Sequence, residues 1–332
     1  MSSAPEPLKP LRTWSHLADR RKRPSEYEIV STRLHYRRRD PDVPWELDPN
    51  LPMNDWYRKY CNESPLRHPD WDLFQDPDQL VYRTYNILQD GQEAYVGSLL
   101  DQLSDRGHDE MLEREWAEVL ARAYTPARYI FHTLQMASAY LSQVAPASTI
   151  STCAMFQTAD SLRWVTHTAY RTVELGRAHQ GLGIGTDERA HFEKDPAWQG
   201  FRKLAEKVLV VWDWAECFAA LNLVLKPAVE EALLGALGDA ARNHGDTLYG
   251  MLSQAHMRDA ERHRRWAAKL VELAVSQPGN RELLAGWIAK WQPLANEAID
   301  AYCAALPDGE ELAAAAKSRV AGFHAGMGFA KS

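Results

Sequence analysis

Asp259-Ala260-Glu261-Arg262-His263, together with its weaker echo Asp160-Ser161-Leu162-Arg163-Trp164, sets the architecture of this chain. Each stretch lies inside a long run of helical periodicity, so residues three apart share one helix face. Aligned on their Asp and Arg, the stretches bring Ser161 and Trp164 into register with Ala260 and His263. Residues 161 and 260 are 99 positions apart, a spacing that fits two successive helix hairpins facing each other.

That register matches a known way of holding two iron ions. Ferritin-like di-iron bundles place one Glu on each of two helices and a Glu-x-x-His pair on each of two others. Of the four paired positions here, Ser161, Trp164, Ala260 and His263, only His263 keeps the ligand type. One helix upstream of each pair, the spacing reaches Met136 on one side and Lys226 on the other, and neither replaces a carboxylate. Lys226 would repel a metal cation, and Trp164 would fill the volume that a metal and its waters need. Bare carboxylates buried together without metal are strongly unfavourable, so a chain that drops the iron should drop them together. Glu261 points about 100° away from the ligand face. Asp160/Arg163 and Asp259/Arg262 read as i,i+3 pairs within their own helices, with ordinary surface charge as the alternative. The expected fold is therefore an all-α, ferritin-like (ribonucleotide-reductase-like) helical bundle. No residue of it is assigned a catalytic, cofactor-binding or metal role.

The surrounding sequence extends this reading. From Asp78 onward apolar residues recur at threes and fours, as at Val81, Tyr85 and Leu88. Helices are expected over 113–124, 127–144, stopping before Pro146, and 147–175. Further helices are expected over 197–224, after Pro227, through the second stretch to about 276, and over 281–304. The Ala-rich segment after Asp308 reads as a weaker helix or frayed end. The segment Gly181-Leu182-Gly183-Ile184-Gly185 lacks the third glycine of a dinucleotide fingerprint and a preceding strand, and is a loop. His132, His167, His244 and His256 have no nucleophile or metal partner at motif spacing; His256 and His263, seven apart, could share a face.

Residues 1–80 hold eleven of the eighteen prolines, so this segment is expected to be largely extended. It is also rich in large aromatics (Trp14, Tyr27, Tyr36, Trp45, Trp56, Tyr57, Tyr60, Trp71), which need a surface to bury against. An arm wrapping a partner subunit, or its own body, accounts for both features. The division expected is thus an arm (1–80), a helical domain without metal (81–308) and a variable tail (309–332). Cys61, Cys153, Cys217 and Cys303 form no C-x-x-C pair, which argues against a zinc cluster or a disulfide framework. A formal net charge of −7 argues against nucleic acid as a partner, although Arg20-Arg21-Lys22-Arg23 and Arg37-Arg38-Arg39 are locally basic. No apolar leader or membrane-length run occurs, and a cytoplasmic location is expected.

Several blocks carry a more specific likeness: Leu11-Arg12-Thr13-Trp14-Ser15-His16-Leu17, Arg23-Pro24-Ser25-Glu26-Tyr27, Pro77-Asp78-Gln79-Leu80-Val81-Tyr82-Arg83-Thr84-Tyr85-Asn86, Ala145-Pro146-Ala147-Ser148-Thr149-Ile150, and Thr158-Ala159 leading into the first stretch. In these, and over about residues 8 to 308, the chain resembles the β subunits of bacterial multicomponent monooxygenase hydroxylases, most closely those of toluene and o-xylene monooxygenases. The resemblance implies a non-catalytic paralogue of an α subunit that carries the di-iron centre, assembled with α and γ subunits as (αβγ)2. It also implies a reductase, a Rieske-type ferredoxin and a small effector protein that act on the complex, and no cofactor in this chain. A β subunit of an alkene, isoprene or phenol monooxygenase, a chain with its own differently liganded metal centre, and an independent helical scaffold are the rival readings.

Overall fold

A computed structural model describes residues 15–17, 23–34 and 51–329. Eight long helices build the body: α1 (Tyr82–Ser104), α2 (Ala127–Val144), α3 (Ser148–Ala178), α4 (Pro196–Val208), α5 (214–243), α6 (Thr247–Ala274), α7 (Asn280–Cys303) and α8 (Gly309–Gly326). Among the described residues there is no strand. The architecture is the expected all-α, ferritin-like bundle. None of the described helices is long and apolar enough to cross a membrane.

The two expected hairpins are present. Helix α2 packs along α3 after a turn in which Ala145, preceding Pro146, is held extended at φ −60°, ψ 145°. Helices α5 and α6 form the second, joined at Gly245, whose φ of 75° suits only glycine without strain. There Asp246 caps α6 by accepting from the Tyr249 amide at 2.9 Å. Helix α1 lies across α3 and α6, and α4 runs against α7. Nearly every residue of α5 is buried, so it is the central helix of the molecule.

Three stretches differ from the sequence reading. The helix expected over 197–224 is broken at 209–213, because Asp213 starts a new helix by accepting from the amides of Ala215 and Glu216 at 3.0 Å each. That helix then runs through Pro227 without stopping. Pro227 has no N–H to offer the Leu223 carbonyl four residues back, and His324 Nε2 of α8 donates to that carbonyl instead, at 2.6 Å. Wider π turns at Ala219–Leu225 and Glu230–Ala236 flank the proline. The residues after Asp308 are no frayed end: α8 docks on α5 and α7, with Arg319 paired to Glu231 and Lys317 to Asp300 at 2.5 Å.

The described part of the N-terminal 80 residues is not largely extended. It contains short helices at Glu26–Ser31, Pro52–Tyr57 and Arg58–Asn62 and packs on its own body. Tyr27 Oη accepts from the Asp76 amide at 2.8 Å, Trp56 lies against Trp212 with ring centroids 5.3 Å apart, and Trp71 meets Trp214 edge-on at 5.0 Å. Trp14, Tyr36, Trp45, Arg20-Arg21-Lys22 and Arg37-Arg38-Arg39 lie outside the described residues. All four cysteines are buried, and burial pushes the Cys153 thiol well above its usual range.

Candidate functional site

Asp160 of α3 and Asp259 of α6 meet at the centre of the bundle, under α1. Asp160 is fully buried and accepts from Tyr85 Oη at 2.8 Å, Gln89 Nε2 at 2.7 Å and His263 Nε2 at 2.8 Å, with Arg262 completing its shell. Asp259 accepts from Gln89 Nε2 at 3.1 Å, Arg163 Nη1 at 3.2 Å and Trp164 Nε1 at 3.3 Å. Gln89 therefore joins both carboxylates with one amide nitrogen, while its oxygen accepts from Arg163 at 2.6 Å. Arg163 also donates Nε to Glu93 at 2.5 Å. Every donor that lines the two buried carboxylates thus has an acceptor, as buried polar groups require. Burial alone would weaken the Arg262 cation, but Asp160 and Asp259 outweigh it and push its pKa up.

The two Asp/Arg pairs are neither surface charge nor mainly intrahelical. Arg163 is nearer Asp259 of α6 (3.2 Å) than Asp160 of its own helix (3.5 Å), and Arg262 reaches Asp160 more closely than it reaches Asp259 (3.4 Å). The arginines cross over and tie one hairpin to the other, with the i,i+3 contacts as the longer arms. Glu261, as expected, is exposed.

Next to this girdle the Trp164 ring, fully buried, occupies the middle of the space between the hairpins. It stacks on His256 at 5.5 Å and 24°, approaches His263 at 6.0 Å, and meets Phe131 edge-on at 5.5 Å. The Lys226 ammonium of α5 sits 5.1 Å from the ring centroid. Ala260 and Ser161 are fully buried, and the Ser161 hydroxyl is used up in donating to the Gln157 carbonyl at 2.9 Å. Met136 is the one position misplaced in the sequence reading: it is 39% exposed, and Phe131 holds the inward place on α2. Five residues turn a helix by about 140°, enough to point Met136 out to solvent.

His263 donates through Nε2 to Asp160, which leaves Nδ1 unprotonated; burial, then the Lys226 and Arg262 cations, hold its pKa well below the usual range. His167 bridges Glu93 (3.1 Å) and His256 (3.0 Å), and burial lowers the pKa of both histidines. A second charged cluster continues along α5. Lys226 pairs with Glu230 at 3.0 Å, Arg264 with Glu230 at 2.9 Å and with Glu231 at 2.6 Å. Burial raises the Glu230 pKa, but Lys226 and Arg264 outweigh it and the net shift is downward.

These residues do not fit a carboxylate-bridged metal pair. His263 Nε2 is committed to Asp160, a ring and an ammonium fill the place of metal and water, and among the described residues no three His, Cys, Asp or Glu side chains are arranged to hold a metal ion. What the site does is hold two hairpins in fixed register through ion pairs. Sequence reasoning brought Trp164, Lys226 and His263 to one site but read Asp160/Arg163 and Asp259/Arg262 as pairs within their own helices, and it missed Gln89 and Glu93 of α1 and Glu230, Glu231 and Arg264. Tyr85, Gln89 and Glu93 recur at four-residue steps on one face, and Lys226/Glu230 is an i,i+4 pair, so both signals were available.

Comparison with known proteins agrees with this geometry. The family model described as Methane/Phenol/Alkene Hydroxylase matches residues 56–278. The chain is 55% identical to the hydroxylase component subunit beta of the toluene-4-monooxygenase system of Ectopseudomonas mendocina, over 91% of this chain and 92% of the relative. It is 26% identical to the phenol 2-monooxygenase oxygenase component DmpL of Pseudomonas sp. (strain CF600), over 83% and 80%. Among solved structures, a chain of toluene 4-monooxygenase with toluene bound in its resting active site superposes with a TM-score of 0.85 at 54% identity, covering 90% of this chain and 99% of that one. The phenol hydroxylase of Pseudomonas sp. OX1 shares the fold, with a TM-score of 0.83 at 22% identity and 98% of both chains covered.

Proposed function

Since this chain belongs to the methane/phenol/alkene hydroxylase family, we propose that it is the non-catalytic β subunit of a multicomponent aromatic-hydrocarbon monooxygenase hydroxylase, acting on toluene or a close relative of it. The chemistry is assigned to an α subunit whose di-iron centre uses O2 and NADH-derived electrons. The assembly is (αβγ)2 in the cytoplasm, served by an effector protein and a Rieske-type ferredoxin. This chain contributes a rigid helical body on which the α subunit is seated.

The observation that carries the reading is the filled centre, where Trp164, Lys226 and Ala260 take the ligand positions and crossed ion pairs close the space. A subunit role is supported by an exposed apolar face on α1 and α3. Ile87 (63% exposed), Leu88 and Tyr95 project from α1, and Leu162, Tyr170 and Val173 (52%) from α3, and exposed apolar side chains gathered in this way mark a surface that another chain covers. Its occupant in this reading is the α subunit. The N-terminal 50 residues, in the same reading, extend the contact.

Co-expression with a chain bearing two intact Glu-x-x-His pairs tests this. The expected result is a stable complex with equal numbers of the two chains by native mass, with iron following the other chain when the subunits are separated. A chain that purifies alone, or that keeps iron through chelation and gel filtration, would overturn the assignment.

A further inference from the structure

Building on that reading, we propose that Lys226 is an internal cation that takes over the electrostatic role of the missing metal. Buried carboxylates stand beside the ligand positions on these helices instead of at them. Asp160 and Asp259 stand one residue before ligand positions, and Glu230 and Glu231 one turn after Lys226, all four of them buried. In a metal-bearing bundle four such carboxylates would be balanced by the ions. Here they meet five basic side chains: Arg163 and Arg262 at the crossed pairs, Arg264 at Glu230 and Glu231, Arg319 at Glu231, and Lys226 at Glu230.

Lys226 is the cation that Glu230 does not share with a second carboxylate. Arg264 is divided between two carboxylates, and Lys226 is 1% exposed, so water cannot replace its charge. Its ammonium lies between the Glu230 carboxylate at 3.0 Å and the π face of Trp164 at 5.1 Å. A lysine bears this duty better than an arginine could, being a compact charge on a flexible stem.

A double-mutant cycle in the assembled hydroxylase decides the matter, read by thermal unfolding of Lys226→Met, Glu230→Gln and the double variant. Lys226→Met should lower the midpoint by about 10 °C, because Glu230 is left buried with only a shared partner. The double variant should recover at least half of that loss. If Lys226→Met does not assemble, assembly of the double variant supports the proposal equally. An unchanged midpoint in Lys226→Met, a double variant that loses the sum of the two single effects, or failure of both Lys226 variants to assemble would overturn it. The subunit assignment is judged by co-purification and iron partition, so either conclusion can fall without the other.

Discussion

Arg163 on α3 lies 3.2 Å from Asp259 on α6, closer than it lies to Asp160 on its own helix. Its energetic weight therefore falls between hairpins and not along a helix. Replacing Asp259 by Ala leaves Arg163 and the Gln89 amide short of an acceptor inside the bundle. The expected cost is about 3 kcal/mol of stability, measured by denaturant unfolding of the complex. Paired with Arg163→Met, the two losses should be strongly non-additive. Iron content per complex should be unchanged; a loss of iron in step with activity would show that Asp259 orients a ligand after all.

Stability should fall on the acid side well before the carboxylates titrate. Burial depresses the pKa of His167, His256, His263 and His324 below the usual 6.5. At pH values below 6.5 the unfolded chain takes up protons that the folded chain refuses, so the stabilisation present above that pH is lost as pH falls. Each histidine withdraws more stability the further its folded pKa lies below 6.5, and His256 and His263, held furthest down, withdraw most. His324→Gln keeps a donor for the Leu223 carbonyl and removes one proton from this uptake. The unfolding midpoint of that variant should decline less steeply between pH 7 and 5.5 than that of the parent. An equal decline would mean that His324 is not held neutral.

How much of this was legible in the sequence depends on whether the cause was local. The ends of α2 followed directly from Pro126 and Pro146, because proline restricts its own neighbours wherever it sits. Pro227 misled for the same reason reversed. Its orphaned carbonyl partner, Leu223, is satisfied by His324 from 101 residues away, which no local rule contains. The crossed arginines are a like case: Asp-x-x-Arg reads identically whether the pair closes within one helix or across two. Burial of Asp160 to zero exposure decided between them, and burial is a property of the packed bundle. The Ser161, Trp164, Ala260 and His263 assignments rested on helix register inside strongly periodic segments and placed their side chains inward. Met136 and Lys226 both rested on counting back across a turn, and that count put Lys226 inside and Met136 at the surface.

Where α4 crosses α7 the contact depends on a missing side chain. A Cβ on Gly200 would fall 2.6 Å from the Ala298 Cα and 3.1 Å from its backbone nitrogen. Both are main-chain atoms, so the helices themselves would have to separate. Gly200→Ala is expected to cost about 2 kcal/mol, despite alanine being the better helix former. An alanine variant as stable as the parent in denaturant unfolding would mean that α7 can shift freely.

Ala260→Glu restores the one residue needed to complete a Glu-x-x-His pair with His263, and it should gain no metal. The position is fully buried, so four extra heavy atoms and a charge must enter a packed interior. His263 already spends Nε2 on Asp160, the opposite hairpin presents Ser161 and the Trp164 ring, and the nearest ammonium, Lys226, is engaged with Glu230. Even with His263 turned free, a metal would find two ligands where a carboxylate-bridged pair takes six. The expected outcome is a loss of about 3 kcal/mol and no iron beyond the parent's, read by unfolding and by metal analysis of the separated chain. Repair would require Trp164 and Lys226 to be replaced as well, since the ring holds the volume and the ammonium holds the charge. Iron bound stoichiometrically by Ala260→Glu alone would show that neither does.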